Sequence, residues 1–138
     1  MIELTLRYGF PAAHILSQPT LSAEENWAIY DKCANPNGHG HNYEVEVTVT
    51  GPIDERTGRI LSPDLLDRIF EERVESRFAR TLLNDDEAFR DRVPTAENIA
   101  LVLHEALADE VAKRSSADVI RVKVVETRHN SCISGAPA

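Results

Sequence analysis

The 138-residue sequence is short of cysteine, of positive charge and of long apolar runs, and each shortage excludes a class of protein. Its two cysteines, Cys33 and Cys132, have no paired spacing. Two thiols make no disulfide framework, so a reducing cytoplasm is the expected compartment. Lys and Arg number 15 against 23 Asp and Glu, a formal net charge of −8. Nucleic-acid binding relies on clustered Lys and Arg against phosphate, so no nucleic-acid partner is expected. A small anionic substrate held by a few local cations is still compatible with that balance. No apolar run reaches the ~18–20 residues that span a bilayer, so no membrane partner is expected either. The N-terminus opens on an alternating pattern without a charged-then-apolar leader, and no signal peptide is expected. Internal repeats and low-complexity tracts are lacking as well. What is left is ordinary globular composition, 42% hydrophobic and 28% charged. The length fits a single domain, residues 1–138, large enough to bury a core without disulfide staples.

Hydrophobic periodicity divides the chain. Ile2, Leu4, Leu6, Tyr8 and Phe10 alternate with polar or small residues, and the same parity runs through Ala12 to His14. That period of two predicts a half-buried strand. Ser22-Ala-Glu-Glu25 resembles a capping box and predicts a short helix through Trp27 and Tyr30. An Asn-, Pro- and Gly-rich loop follows to Gly40. Tyr43, Val45, Val47 and Val49 then mark the clearest strand, ended by Gly51-Pro52. Ser62-Pro63 predicts an N-cap with proline in the first turn of a helix whose apolar face is Leu66, Ile69, Phe70 and Val74. Residues 78 to 93 read as charged and irregular. Pro94-Thr-Ala-Glu97 opens a second helix, with Ile99, Leu103, Leu107 and Val111 at four-residue spacing beside Val102 and Ala106. His104 on that helix is expected at the surface. Val119 to Thr127 predicts a closing strand, and the tail from Asn130 carries weak signals. The order implies an α+β fold, an antiparallel sheet covered on one face by helices.

Three histidines carry the first chemical signal. His39 and His41 sit two residues apart on extended chain, so their imidazoles point to the same side. Their parity is that of Tyr43 to Val49, and His14 has the apolar parity of its own strand. If the two strands pair, three imidazoles converge on one face, and three neutral imidazoles with an open fourth position make a catalytic zinc site. Glu126 shares parity with Val122 and Val124. A carboxylate on a buried strand face is costly unless paired. It reads either as a ligand anchor facing a pocket or as a strand-end carboxylate reaching water. Cys33, a few residues before His39, reads either as a thiolate favoured by a nearby cation or as a small hydrophobe.

These residues resemble a known family. Phe10-Pro-Ala-Ala-His14, Leu21-Ser-Ala-Glu-Glu-Asn26, Lys32-Cys-Ala-Asn-Pro-Asn-Gly-His-Gly-His-Asn-Tyr43, Pro94-Thr-Ala-Glu-Asn-Ile99 and Val125-Glu-Thr127 occur in the order of the 6-pyruvoyl-tetrahydropterin synthase and 6-carboxy-tetrahydropterin synthase family. The stretch from Lys32 to Tyr43 is the most specific, and its spacing from Cys33 to His39 is similar to that of the animal-type synthases. The resemblance implies the tunnelling fold (T-fold): a four-stranded antiparallel sheet with two helices on one face, assembled as a homotrimer or homohexamer with active sites between subunits. It implies a pterin substrate, 7,8-dihydroneopterin triphosphate, and a lyase reaction that eliminates triphosphate; a 6-carboxy product from side-chain cleavage is the related outcome. Zn2+ would be held by His14, His39 and His41. Glu126 would grip the pterin, Thr95 would offer a polar contact, and Cys33 would be the base.

One segment departs from the pattern. The family pairs its cysteine with an Asp-His dipeptide shortly before Leu-Asn. Here the stretch reads Phe78-Ala-Arg-Thr-Leu-Leu-Asn84, which puts Ala79 and Arg80 in the Asp and His positions. Arginine stays protonated and is a poor proton shuttle, whereas histidine exchanges protons near neutrality. His129, just beyond Glu126, is the expected substitute. A related but different pterin reaction and a pterin-binding relative without turnover are the other expectations this departure raises.

Overall fold

The structure, a computed structural model, describes residues 1–137, so the last residue of the expected domain lies outside it. Four strands form one antiparallel sheet in the order β1-β2-β3-β4: β1 (Glu3–His14), β2 (His39–Thr50), β3 (Asp118–Thr127) and β4 (Asn130–Gly135). Between them lie α1 (Ala23–Tyr30), α2 (Pro63–Phe70), α3 (Ser76–Phe78) and α4 (Ala96–Arg114).

The alternation read from the sequence sets the register. β1 pairs with β2 from Glu3 opposite Thr50 to His14 opposite His39, so facing residues share one side of the sheet. Phe10, Tyr43, Val45, Val47 and Val49 are all buried there. β3 needs one correction to keep its apolar residues on that side. The register slips between Thr48 and Val49, leaving Ile120 as an extra residue, and Val119 then faces inward with Val122 and Val124. A bulge of this kind switches which parity faces the core.

α2 and α4 cover this face. Leu66, Ile69 and Phe70 from α2 meet Ile99, Leu103, Leu107 and Val111 from α4, all buried. α2 runs on through a π-helical stretch, Glu71–Glu75, into α3, and Val74 stays buried in it. The capping box forms as expected: Glu25 N–H donates to Ser22 Oγ, and Ser22 N–H donates to Glu25 Oε1. Ser62 occupies its N-cap position without a side-chain bond. Among the described residues, no helix is long and apolar enough to cross a membrane.

One local expectation is corrected. His104 is half-buried rather than a surface residue. Its Nε2–H donates to the Val119 carbonyl at 3.2 Å, and Nδ1 accepts from Ser134 Oγ at 2.8 Å. The ring is buried because β4 passes beside α4, which helix periodicity cannot register. The weakly patterned tail supplies the fourth strand that the family resemblance implies, β4, held by backbone pairing of Arg121 to Thr127 with Asn130 to Gly135. An edge strand with one half-buried face needs little hydrophobic signal of its own.

Candidate active site

β1 and β2 deliver the three histidines together because their register is fixed up to the last pair, His14 opposite His39. Gly38 makes the turn into β2 with φ +73, a left-handed conformation that favours glycine. The ring centroids lie 4.4 Å (His14–His39), 5.0 Å (His14–His41) and 4.8 Å (His39–His41) apart.

The hydrogen bonds orient the rings. His14 is fully buried, and its Nδ1–H donates to the Pro94 carbonyl at 2.8 Å. A carbonyl can only accept, so the lone pair of His14 is on Nε2, the atom 2.9 Å from His39 Nε2. A backbone carbonyl holding the far nitrogen of a ligand imidazole is the usual support of a metal site. The Tyr43 hydroxyl lies 3.1 Å from the same Nδ1. Burial, then the charge of Glu126, holds that hydroxyl protonated.

The site fits a metal ion on three observations. One ligand nitrogen from each histidine lies within 4.8 Å of the others. With the shortest separation at 2.9 Å, this range brackets the ~3.3 Å edge of a tetrahedron built on bonds of ~2.0–2.1 Å. His41 Nε2 is buried and makes no hydrogen bond among the described residues. That orphaned nitrogen is the kind of group a bound cation satisfies.

Electrostatics prepares the same state. Burial is the main reason that the His14 imidazole is pushed down to about 4, with the neighbouring imidazoles adding to it against the Pro94 bond. His39 is lowered for the same first reason, then by His41. Both rings are therefore neutral, and a neutral imidazole is the ligand form. An unfolded imidazole titrates near its ordinary ~6.5, above folded His14, so the unfolded state binds more protons between those values and stability falls as pH drops through that window. Metal-free protein should lose on the order of 2 kcal/mol between about pH 7 and about pH 5 through His14. Denaturation midpoints at the two pH values should converge in a His14→Gln variant; an unchanged slope there would refute the assignment.

Glu126 closes one side of the cluster, with Oε1 3.5 Å from His41 Nε2. The register Glu44 opposite Val125, continued by one residue, sets Glu126 across from Tyr43 on the inner face. A second irregularity between Val125 and Thr127 falls on Glu126 itself, and bulges commonly re-aim a side chain next to a site. Glu126 is half-buried, between the two positions that sequence parity allowed.

The other expected residues are spread around this core. Cys33 is half-buried, and its carbonyl accepts from Leu16 N–H, two residues beyond His14. Thr95 follows Pro94 and caps α4, its Oγ1 accepting from Asn98 N–H. His129 is exposed in the β3–β4 turn, where its N–H donates to Thr127 Oγ1. Two contributors escaped sequence reasoning. The Pro94 carbonyl leaves no side-chain signature, although the Pro94-to-Ile99 motif contains it. Cys132 comes beside the site through β4 pairing, with Sγ 3.5 Å from Glu97 Oε1. Burial, then the Glu97 carboxylate, pushes this thiol up to about 11, so it stays protonated and is a poor base.

Arg80, at the departure from the family pattern, has φ +60 at the tip of the turn after α3. Its N–H donates to the Pro11 carbonyl, and Thr81 O accepts from Ala13 N–H, so the turn is bonded to the edge of β1. A non-glycine residue in this conformation costs about 1 kcal/mol or more.

Comparison with known proteins agrees with this geometry. The family model described as 6-pyruvoyl tetrahydropterin synthase matches residues 3–136. The chain is 39% identical to the human 6-pyruvoyl tetrahydrobiopterin synthase over 130 residues, 93% of this chain and 87% of that one. It is also 39% identical to the Drosophila melanogaster protein of the same name, over 92% of this chain and 75% of that one. The solved Caenorhabditis elegans 6-pyruvoyl tetrahydropterin synthase superposes with a TM-score of 0.89 at 30% identity, covering 99% and 96% of the two chains. On the sequence match and the superposition together, the chain belongs to the 6-pyruvoyl tetrahydropterin synthase family.

Proposed function

We propose that this protein is a zinc-dependent 6-pyruvoyl-tetrahydropterin synthase that acts on 7,8-dihydroneopterin triphosphate and eliminates triphosphate. The observation that carries the reading is the His14 tautomer held by Pro94, which aims a neutral nitrogen at two further imidazoles beside Glu126. Zinc held by His14, His39 and His41 would supply a Lewis acid for the substrate's side-chain oxygens and acidify the neighbouring carbon. Glu126 accepts two hydrogen bonds from the guanidine-like edge of the pterin, a charge-assisted bidentate grip. Thr95 accepts its helix bond on oxygen and keeps its own O–H for the pterin.

Cys33, as thiolate, takes a proton from the side-chain carbon next to the ring. A proton returned to the ring moves the two reducing equivalents into it, and triphosphate leaves from the far end of the side chain. The reaction is internally balanced and needs no external oxidant. His129 exchanges the proton in place of the missing Asp-His pair. The assembly proposed is a homotrimer or homohexamer, built by pairing the sheet edge on β4 with the part of β1 before Pro11, which the Arg80 turn leaves free. The two free thiols fit the cytoplasm.

The test is metal analysis together with product identification from 7,8-dihydroneopterin triphosphate. Zinc near one per chain and a 6-pyruvoyl product are expected. A bound metal other than zinc removes the zinc assignment, a 6-carboxy product moves the reading to side-chain cleavage, and pterin binding without product makes this a binding relative. Cys33→Ala should lower turnover by about 10²–10⁴-fold and His129→Ala by about 10². Unchanged turnover in His129→Ala would remove that residue from the mechanism.

A further inference from the structure

An acidic chain whose substrate carries a triphosphate needs a place where its own carboxylates do not repel the ligand. A cleft of about 530 Å³ meets that condition. It is lined by Pro11, Ala12 and Ala13 of β1, Gly40, His41 and Asn42 of β2, and Arg80, Thr81 and Leu82 of the turn after α3. None of these is acidic, and Arg80 is the one permanently charged residue among them. A second cleft of about 410 Å³ has three arginines, Arg73, Arg77 and Arg92, but Glu105 and Asp109 also line it. There Arg73 pairs with Glu110, and Arg77 donates twice to Asp86 at 2.8 and 2.6 Å. Two of its three arginines are thus held by carboxylates, and Glu105 lies 3.5 Å from the third, Arg92.

Two cations of β3 are less suited. Arg121 is buried and donates to Glu3 and to the carbonyls of Ala136 and Pro137. Lys123 Nζ lies 3.9 Å from Glu46. Arg80 forms no ion pair among the described residues and is exposed, on a turn bonded to β1. Its left-handed backbone is a conformation that glycine would hold more easily. Retaining a charged side chain where the backbone disfavours one points to a use for that side chain. His41 is common to the lining of this cleft and to the histidine cluster, so the cleft borders the site.

We infer that the cleft presented by Arg80 binds the triphosphate tail of the substrate, with Arg80 supplying the charge. The family's histidine position has thereby become an anion-binding one. This rests on the pterin triphosphate reading above. The experiment measures, on intact metal-loaded protein, the affinity for inorganic triphosphate, the affinity for unphosphorylated 7,8-dihydroneopterin, and KM and kcat for the full substrate. Metal content is checked in every sample. Arg80→Gln should weaken inorganic triphosphate binding and raise KM by about tenfold, in line with one lost charge-assisted contact. Dihydroneopterin affinity should stay within about twofold. Arg80→Gly, which removes the side chain and suits the left-handed turn, should reproduce those losses without loss of fold, and Arg80→Lys should recover part of them. Unchanged triphosphate binding in Arg80→Gln, or a fall in kcat with KM intact, overturns the inference. Failure of the pterin reading is separately visible, as a wild-type protein that does not bind dihydroneopterin.

Discussion

His14→Ala should empty the metal centre: bound metal falls from near one per chain to less than about a tenth, and turnover falls by at least about a thousandfold. Lewis-acid stabilisation by a bound metal is worth several kcal/mol, and ~1.4 kcal/mol is one decade in rate. His14 is the ligand whose orientation is most fully determined, by the Pro94 carbonyl on one nitrogen and the cluster on the other. Its removal also orphans the Pro94 carbonyl, a loss of about 1–3 kcal/mol in stability. His39→Ala separates the two effects, because His39 is half-buried and its ring does not hold Pro94. That variant should lose metal and activity at a smaller stability cost. Elemental analysis, a turnover assay and a denaturation curve on each protein make the check. Retention of stoichiometric metal in both variants would show that the histidine cluster is not the metal centre.

Phe78→Ala should destabilise the protein by about 3–5 kcal/mol, the usual range for truncating a buried phenylalanine. For a chain of this length that corresponds to roughly 10–15 °C in melting temperature at fixed protein concentration. Phe78 is buried, 6.5 Å between ring centroids from Phe10 and 6.0 Å from Phe89. It pins the start of the Ala79–Thr81 turn against β1 and so fixes where Arg80 emerges. Arg77→Ala, on the neighbouring residue, removes a half-exposed pair with Asp86 instead. It should cost about 1 kcal/mol or less. Thermal melts of the two variants should differ by that margin; comparable losses would mean that the turn is held by the ion pair rather than by the ring.

The histidine cluster and the packing around Phe78 were legible to different degrees, for physical reasons. Strand alternation is a local property of the chain, since successive side chains on extended backbone must point to opposite faces. It put His14, His39 and His41 on the apolar side before any pairing was known, and their convergence needed only that β1 and β2 pair. The apolar faces of α2 and α4 followed in the same way from helical spacing. The motif order from Phe10 to Thr127 carried the family resemblance that the comparisons bear out.

Other features depended on contacts between segments far apart in sequence. The Pro94 carbonyl reaches His14 across 80 residues, and no side chain advertises it. The burial of His104 depends on β4, a strand held mainly by backbone bonds and nearly silent in hydrophobic pattern. The inward placement of Val119 depends on a bulge at Ile120, which shifts parity where the sequence still alternates. The sequence by itself determined which residues could meet on one face, because side-chain direction follows from local backbone geometry. Only the tertiary structure decided which nitrogen of His14 is free, what lies beside Glu126 and which cleft Arg80 enters, because register, bulges and backbone carbonyl partners arise only when distant segments pack.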